Sequence, residues 1–426
     1  MSVFFESKNA LKGDLLIPGD KSISHRALIL GALANGDTVI HHFLKADDCI
    51  DTIRCLQNLG ISIEEEKDDI IVHGKGLYGL SEPNRVLDVG NSGTTIRLLS
   101  GILAAQDFVS EISGDNSILR RPVDQVIEPL IKMGANISSK LKNNCPPLVI
   151  LPSKIKGQTF YSQIASSQLK SSILLTALYA DSETKIIEPY QSRNHTELVL
   201  EAFGHKPECT PTQTVIQPAK ELKACEITVP GDISSAAYFI TAALITKDSE
   251  IQLKGVGMNP TRNGFIDVIL SMGADIEILN ARRGLEPTAD LIVRSSKLHG
   301  ITLSGEIIPR ALDEIPILMV LACFAEGVTV IKDGGELRLK ESGRIDVIVE
   351  NLTKMGANIT AANESIIIEG GHPLHGAIIG TKYDHRMAMS FAIAALGASG
   401  KTEIIGSECV NISYPGFYEA LRSLFQ

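Results

Sequence analysis

A chain of 426 residues is long for a single hydrophobic core and points to two domains, or three. With 44% hydrophobic and 21% charged residues it has a globular balance, and a net charge of −10 argues against an extended nucleic-acid face. No apolar run reaches the length of a membrane span, and Met1–Leu11 lacks a signal-peptide pattern; seven scattered cysteines without a CxxC pair read as reduced thiols of a cytoplasmic protein rather than a disulfide framework or zinc site.

The first predicted helix, Ile23–Ala34, opens on Pro18-Gly19-Asp20-Lys21-Ser22 and leads to a strand over Thr38–Phe43. Unpaired N–H groups and the positive end of the macrodipole make a helix start attractive to anions. Lys21, Ser22 and Arg26 therefore suit a phosphate or carboxylate, although an N-cap with two solvated cations explains a lone copy equally simply. The second helix, Thr94–Ala105, follows Val89-Gly90-Asn91-Ser92-Gly93, a turn whose glycines permit close backbone approach to a phosphate, and leads to Phe108–Ser113. Arg120 and Arg121 stand before Pro122 at an expected helix start, as a phosphate clamp or a surface loop. The third helix, Ser167–Ala180, is preceded by Ala165-Ser166 and continues with Gln168, more hydrogen-bonding groups than capping needs; Thr184–Glu188 follows. Ser192-Arg193-Asn194-His195 repeats the pattern faintly.

The second half echoes the first. Pro230-Gly231-Asp232-Ile233-Ser234 matches the first opening but lacks its cation, which suggests a structural or hinge role; its helix Ser234–Ile245 leads to Glu250–Lys254. Asp313 and Glu314 open the apolar helix Glu314–Ala325, where capping would account for one acid, before the strand Val328–Lys332. Leu337-Arg338-Leu339-Lys340-Glu341-Ser342-Gly343-Arg344 reads either as a solvated salt-bridge face or, with Asp313, as general acid and base groups beside bound anions. Asp384-His385-Arg386 opens the last helix, Met387–Leu396, ahead of Thr402–Gly406.

These openings recur with a period of roughly 70 residues. Between them lies a second repeated phrase: Leu59-Gly60-Ile61, Met133-Gly134-Ala135, Met272-Gly273-Ala274 and Met355-Gly356-Ala357, with Phe203-Gly204-His205 as a weaker copy. Each places a Gly where an amphipathic helix turns into an alternating strand. The repeating unit therefore reads strand–helix–strand–helix–strand–strand. Two α/β domains of three units are expected, with crossovers around Leu11–Pro18 and Cys225–Gly231.

In order and spacing, the Gly-Asp-Lys-Ser, Gly-Asn-Ser-Gly, Arg-Arg-Pro, Ser-Ser-Gln, Asp-Glu-Ile-Pro, Lys-Glu-Ser-Gly-Arg and Asp-His-Arg phrases resemble the EPSP synthase family of enolpyruvyl transferases over essentially the whole chain. The resemblance implies six βαβαββ repeats in two inverse-barrel-like domains that close on substrate, with residues 1–13 and 229–426 in one and 14–228 in the other. It also implies transfer of the enolpyruvyl group of phosphoenolpyruvate to the 5-hydroxyl of shikimate 3-phosphate in a cytoplasmic monomer. No metal, organic cofactor, nucleic acid or membrane is required, and the family is the target of glyphosate.

Carried over by motif, Lys21 would touch both substrates, Ser22 and Arg26 would hold shikimate 3-phosphate, and Gly93 and Arg121 would line the phosphoenolpyruvate pocket. Ser166, Ser167 and Gln168 would contact the shikimate phosphate, Gln168 also reaching phosphoenolpyruvate, and Arg193 would orient the shikimate ring. Asp313 would accept the 5-hydroxyl proton, Lys340 would bind that hydroxyl and Glu341 would protonate the methylene carbon. Arg344 and Arg386 would grip phosphoenolpyruvate, with His385 tuning the group. Many relatives carry a Lys just before a C-terminal Thr-Phe-Pro; Asn411-Ile412-Ser413-Tyr414-Pro415 has none, and Lys382 is the candidate replacement. A UDP-N-acetylglucosamine enolpyruvyl transferase would have Asn where Ser22 stands and a Cys within 116–119, where there is none. A non-catalytic anion-binding module fits poorly with the paired carboxylates.

Overall fold

Six helices are apolar almost all round, as a helix must be when every face is covered. We number them α1 (Lys21–Leu33), α2 (Gly93–Leu103), α3 (Ser167–Ala177), α4 (Ile233–Ile245), α5 (Ile315–Phe324) and α6 (His385–Gly397). The computed structural model describes residues 1–332, 343–362 and 365–426. Among these, the strands form six small sheets, five of four strands and one of three.

One sheet shows the repeat. Leu87–Asp88 runs parallel to the strand that follows α2, Ser110–Ser113, which pairs antiparallel with Leu148–Leu151; Asn136–Ser139 closes the edge as the other half of that hairpin. The amphipathic helix before each hairpin ends where the sequence places Gly. Gly60, Gly134, Gly204, Gly273 and Gly356 have φ of +86°, +98°, +81°, +94° and +88°. A Cβ is strained in that left-handed region, so a Gly there stops the helix and turns the chain into the strand.

The described residues divide into two compact units, Met1–Pro18 with Pro230–Gln426, and Gly19–Val229. Each has its own core, one built around α4–α6 and the other around α1–α3. Strand pairing shows why the chain divides at these points. Lys12–Leu16, the strand just before α1, runs parallel to Glu250–Lys254 within the unit of α4–α6. Conversely Glu226–Thr228, just before α4, runs parallel to Val39–His41. Each unit thus takes its opening strand from the stretch that precedes the other unit's first helix. Ser2–Glu6 completes the sixth repeat by pairing antiparallel with Lys401–Ile405. No helix among the described residues is long and apolar enough to cross a membrane.

Candidate active site

In the unit Gly19–Val229 the starts of α1, α2 and α3 are tied to one another by side chains. At α1, Asp20 caps the helix by accepting from the Ile23 N–H at 2.9 Å. Lys21 follows as the first helical residue, where the dipole disfavours a cation. Its Nζ lies 2.8 Å from Asp48 Oδ2, so a carboxylate of the fold itself offsets that cost. Arg26, one turn on, is 3% exposed. It donates from Nη1 to the Ser22 carbonyl at 2.8 Å, from Nη2 to Ser171 Oγ of α3 at 2.6 Å and from Nε to Thr196 Oγ1 at 2.7 Å.

A second link joins α1 to α2. His25 Nδ1 is 2.8 Å from Thr52 Oγ1, which is 2.6 Å from Thr95 Oγ1; Thr95 donates to Ser92 Oγ at 2.6 Å, and Ser92 caps α2. Burial, then the charges of Lys21 and Arg26, push the His25 imidazole well below its ordinary value, so it sits in this network neutral. The third link joins α2 to α3, where Gln168 Nε2 donates to Thr94 Oγ1 at 3.2 Å. Three links, one of them through Thr52, thus close a triangle of helix starts.

Around that triangle stand the other expected residues. Gly93 is the first residue of α2, and a Cβ there would lie 2.7 Å from Arg97 Nη1 and 3.1 Å from Arg121 Nη1. Arg121 follows a short 3-10 turn, Ile118–Arg120, and donates to Ser117 Oγ at 3.0 Å and Asn91 Oδ1 at 3.3 Å; the next helix begins only at Asp124, after Pro122. Ser166 is the N-cap of α3 but makes no capping bond with its side chain, so capping does not explain its hydroxyl. Ser167 accepts from Ser171 through its carbonyl. Arg193 is half-buried, just before the helix His195–Ala202.

Beneath α3, Lys170 is buried between Glu188 at 3.0 Å and Glu197 at 2.8 Å. Burial alone would lower the ammonium's pKa, but Glu197 and Glu188 outweigh it and raise the group above its ordinary value. This fixed charge anchors α3 to the segment that carries Arg193 and Thr196.

The other unit gathers the starts of α4, α5 and α6. Asp313 and Glu314 belong to a 3-10 turn, Leu312–Glu314, ahead of α5, and Glu314, the N-cap of α5, makes no capping bond with its side chain. Glu314 is buried and accepts a hydrogen bond from Ser234 of α4. Asp313 keeps 19% of its side chain exposed and lies between two guanidiniums, with Arg262 Nη1 3.6 Å from Oδ2 and Arg386 Nη2 3.4 Å from Oδ1. Arg386, the second residue of α6, also donates to the Asp313 carbonyl at 2.8 Å. Asp384 caps α6 and pairs with Arg344 Nε at 2.6 Å. Burial by itself would raise the Asp384 carboxyl. Arg344, His385 and the Arg386 N–H outweigh it and hold the group well below the usual carboxylate range.

Lys340 and Glu341 lie outside the described residues. Lys382, the candidate replacement cation, is exposed and its Nζ is 3.9 Å from Glu350 Oε2. Sequence reasoning missed Asp48, Thr196, Lys170 and Arg262. Only Arg262, a cation in the Asn259-Pro260-Thr261-Arg262 phrase before a predicted helix, carried a usable signal.

The family model described as EPSP synthase (3-phosphoshikimate 1-carboxyvinyltransferase) matches residues 5–421. The chain is 51% identical over 425 residues to a 3-phosphoshikimate 1-carboxyvinyltransferase of Thermoanaerobacter sp. (strain X514), covering 100% of both chains. It is 46% identical to the protein of that name from Desulforamulus reducens, covering 100% of this chain and 99% of the relative. A solved structure of EPSP synthase from Acinetobacter baumannii superposes with a TM-score of 0.87 at 40% identity, covering 100% of this chain and 98% of that one. Built from repeated units whose helix starts collect cations around a few carboxylates, the chain belongs to the EPSP synthase family, the 3-phosphoshikimate 1-carboxyvinyltransferases.

Proposed function

We propose that the family's reaction is carried out in this chain by two sets of helix starts, one in each unit. The substrates are phosphoenolpyruvate and shikimate 3-phosphate, and the products are 5-enolpyruvylshikimate 3-phosphate and phosphate. The starts of α1 and α3 bind shikimate 3-phosphate through Lys21, Ser22, Arg26, Ser166, Ser167 and Gln168, with Arg193 orienting the ring. Gly93, Arg121, Arg344 and Arg386 bind phosphoenolpyruvate, joined by Lys21 and Gln168. So many cations answer to the two phosphates and two carboxylates of the substrate pair.

In this reading Glu341 gives a proton to the methylene carbon of phosphoenolpyruvate. The 5-hydroxyl attacks the adjacent carbon and loses its proton to Asp313, with Lys340 holding the hydroxyl. The tetrahedral adduct then loses a methyl proton as its C–O bond to phosphate breaks. Lys21 neutralises charge on both substrates, and His385 tunes Asp384 and Arg386. The substrates contain every reacting atom, so neither metal nor organic cofactor is needed, and the working form is a cytoplasmic monomer.

The observation that carries this reading is Asp313, a carboxylate still open to solvent yet flanked by Arg262 and Arg386. A carboxylate placed so can reach a bound hydroxyl and accept its proton. Phosphate release from phosphoenolpyruvate tests the reading, with shikimate 3-phosphate or UDP-N-acetylglucosamine as acceptor. Release with shikimate 3-phosphate alone is expected. Release with neither acceptor, or only with the UDP-sugar, overturns it.

A further inference from the structure

The start of α4 departs from its counterpart. Asp20 is followed by Lys21, whereas Asp232 is followed by Ile233. The cation nevertheless arrives from elsewhere. Arg262 lies between the strand Glu250–Gly257 and the helix Gly264–Ser271, and is 3% exposed. Its Nη2 donates to Asp232 Oδ1 at 2.9 Å and to Ser234 Oγ at 3.1 Å. Its Nη1 faces Asp313 Oδ2 at 3.6 Å, while Arg386 faces Oδ1. This opening, expected to be structural or to serve the hinge, thus reaches Asp313 through Arg262.

We propose that Arg262 is a positioning residue for Asp313, fixing the rotation of its carboxylate from an anchorage on Asp232 and Ser234. The proposal rests on the reading of Asp313 as the proton acceptor. A guanidinium is planar and permanently charged, so two bonds on one Nη leave the other aimed in a fixed direction. In the reading above Arg386 also serves phosphoenolpyruvate, which leaves Arg262 as the arginine given over to Asp313. Other charges around Asp313 are the neighbouring Glu314, which takes the Ser234 hydroxyl, and the Arg344–Asp384 pair next to Arg386. A lysine carries its charge on one nitrogen, so it cannot hold Asp232 and Ser234 through one nitrogen while a second faces Asp313.

The test compares Arg262→Lys, Arg262→Gln and Asp313→Asn with wild type, in the full chain, with both substrates varied. Arg262→Lys is expected to unfold cooperatively and to lose about 10- to 100-fold in kcat, the scale of a misplaced catalytic group. Its KM values should stay within about threefold, which assigns the loss to the transition state. Arg262→Gln removes a cation beside Asp313, so the acid limb of its kcat–pH profile should move to higher pH; in Arg262→Lys that limb stays in place. A kcat of Arg262→Lys within about twofold of wild type, or a loss confined to KM, overturns the proposal. So does an unmoved acid limb in a folded Arg262→Gln. Should that variant not fold, the kcat–KM split of Arg262→Lys decides alone. Near-normal turnover by Asp313→Asn overturns the proton-acceptor reading itself. An inactive Asp313→Asn beside normal Arg262 variants overturns only the positioning role.

Discussion

Arg26 and Thr196 are 170 positions apart in sequence, yet the Arg26 Nε–H donates to Thr196 Oγ1 at 2.7 Å in a buried setting. Because Ser171 Oγ sits 2.6 Å from both Arg26 Nη2 and Thr196 Oγ1, the guanidinium is gripped from two elements by hydroxyls that also bind each other. Thr196→Val removes one acceptor without changing the shape of the site. A buried donor left without its acceptor costs about 1–3 kcal/mol, and the two acceptors that Arg26 keeps hold the loss to that range. Urea unfolding should show a loss of that size. The KM for shikimate 3-phosphate should rise several-fold while kcat changes little.

Gly93→Ala brings a methyl group against the ends of Arg97 and Arg121 rather than against backbone. Long side chains can swing away, so the change in folding stability should stay within about 0.5 kcal/mol. Of the two arginines, Arg121 is an expected phosphoenolpyruvate ligand, and the KM for phosphoenolpyruvate should rise with that for shikimate 3-phosphate unchanged. Equal KM for phosphoenolpyruvate in both proteins would remove Gly93 from that pocket.

Asp313→Ala and Glu341→Ala should each lower kcat by about two to four orders of magnitude, the usual contribution of a general acid or base. Substrate affinities measured by equilibrium titration should stay near those of wild type. Unchanged turnover in either variant would take that residue out of the chemistry.

His25 makes stability depend on pH. Its folded-state pKa lies below the ordinary value of 6.5, so below that pH the unfolded chain binds a proton that the folded chain refuses. The stability is fully present above about pH 6.5 and falls as pH drops toward the folded pKa, by up to about 1.4 kcal/mol per pH unit. His25→Asn retains a hydrogen-bonding partner for Thr52 and removes the titration. Denaturant midpoints measured from pH 7.5 to 5 should fall more steeply for wild type than for the variant.

Features with a local cause were legible in the sequence. The Gly at each helix end needs positive φ, and the Asp or Ser at several helix starts needs only its own turn. Ser166 and Asp313 drew notice because their surroundings held more polar groups than capping uses. Partners set by tertiary folding were not legible. Nothing near Lys21 names Asp48 as its counter-ion, and nothing near Asp313 names Arg262. The partners of the opening strands were hidden for the same reason: a strand of three to five residues carries no mark of its neighbour.

The exchange of opening strands also orders events during synthesis. Every strand of the unit Gly19–Val229 is made within one continuous stretch, and its last strand, Glu226–Thr228, completes the sheet begun at Val39–His41. Lys12–Leu16 must wait for Glu250–Lys254, and Ser2–Glu6 for Lys401–Ile405, some of the most distant pairings in the fold. Strands made early are therefore among the last to find their partners. One unit can fold while the chain grows, and the other closes only after Lys401–Ile405 is made.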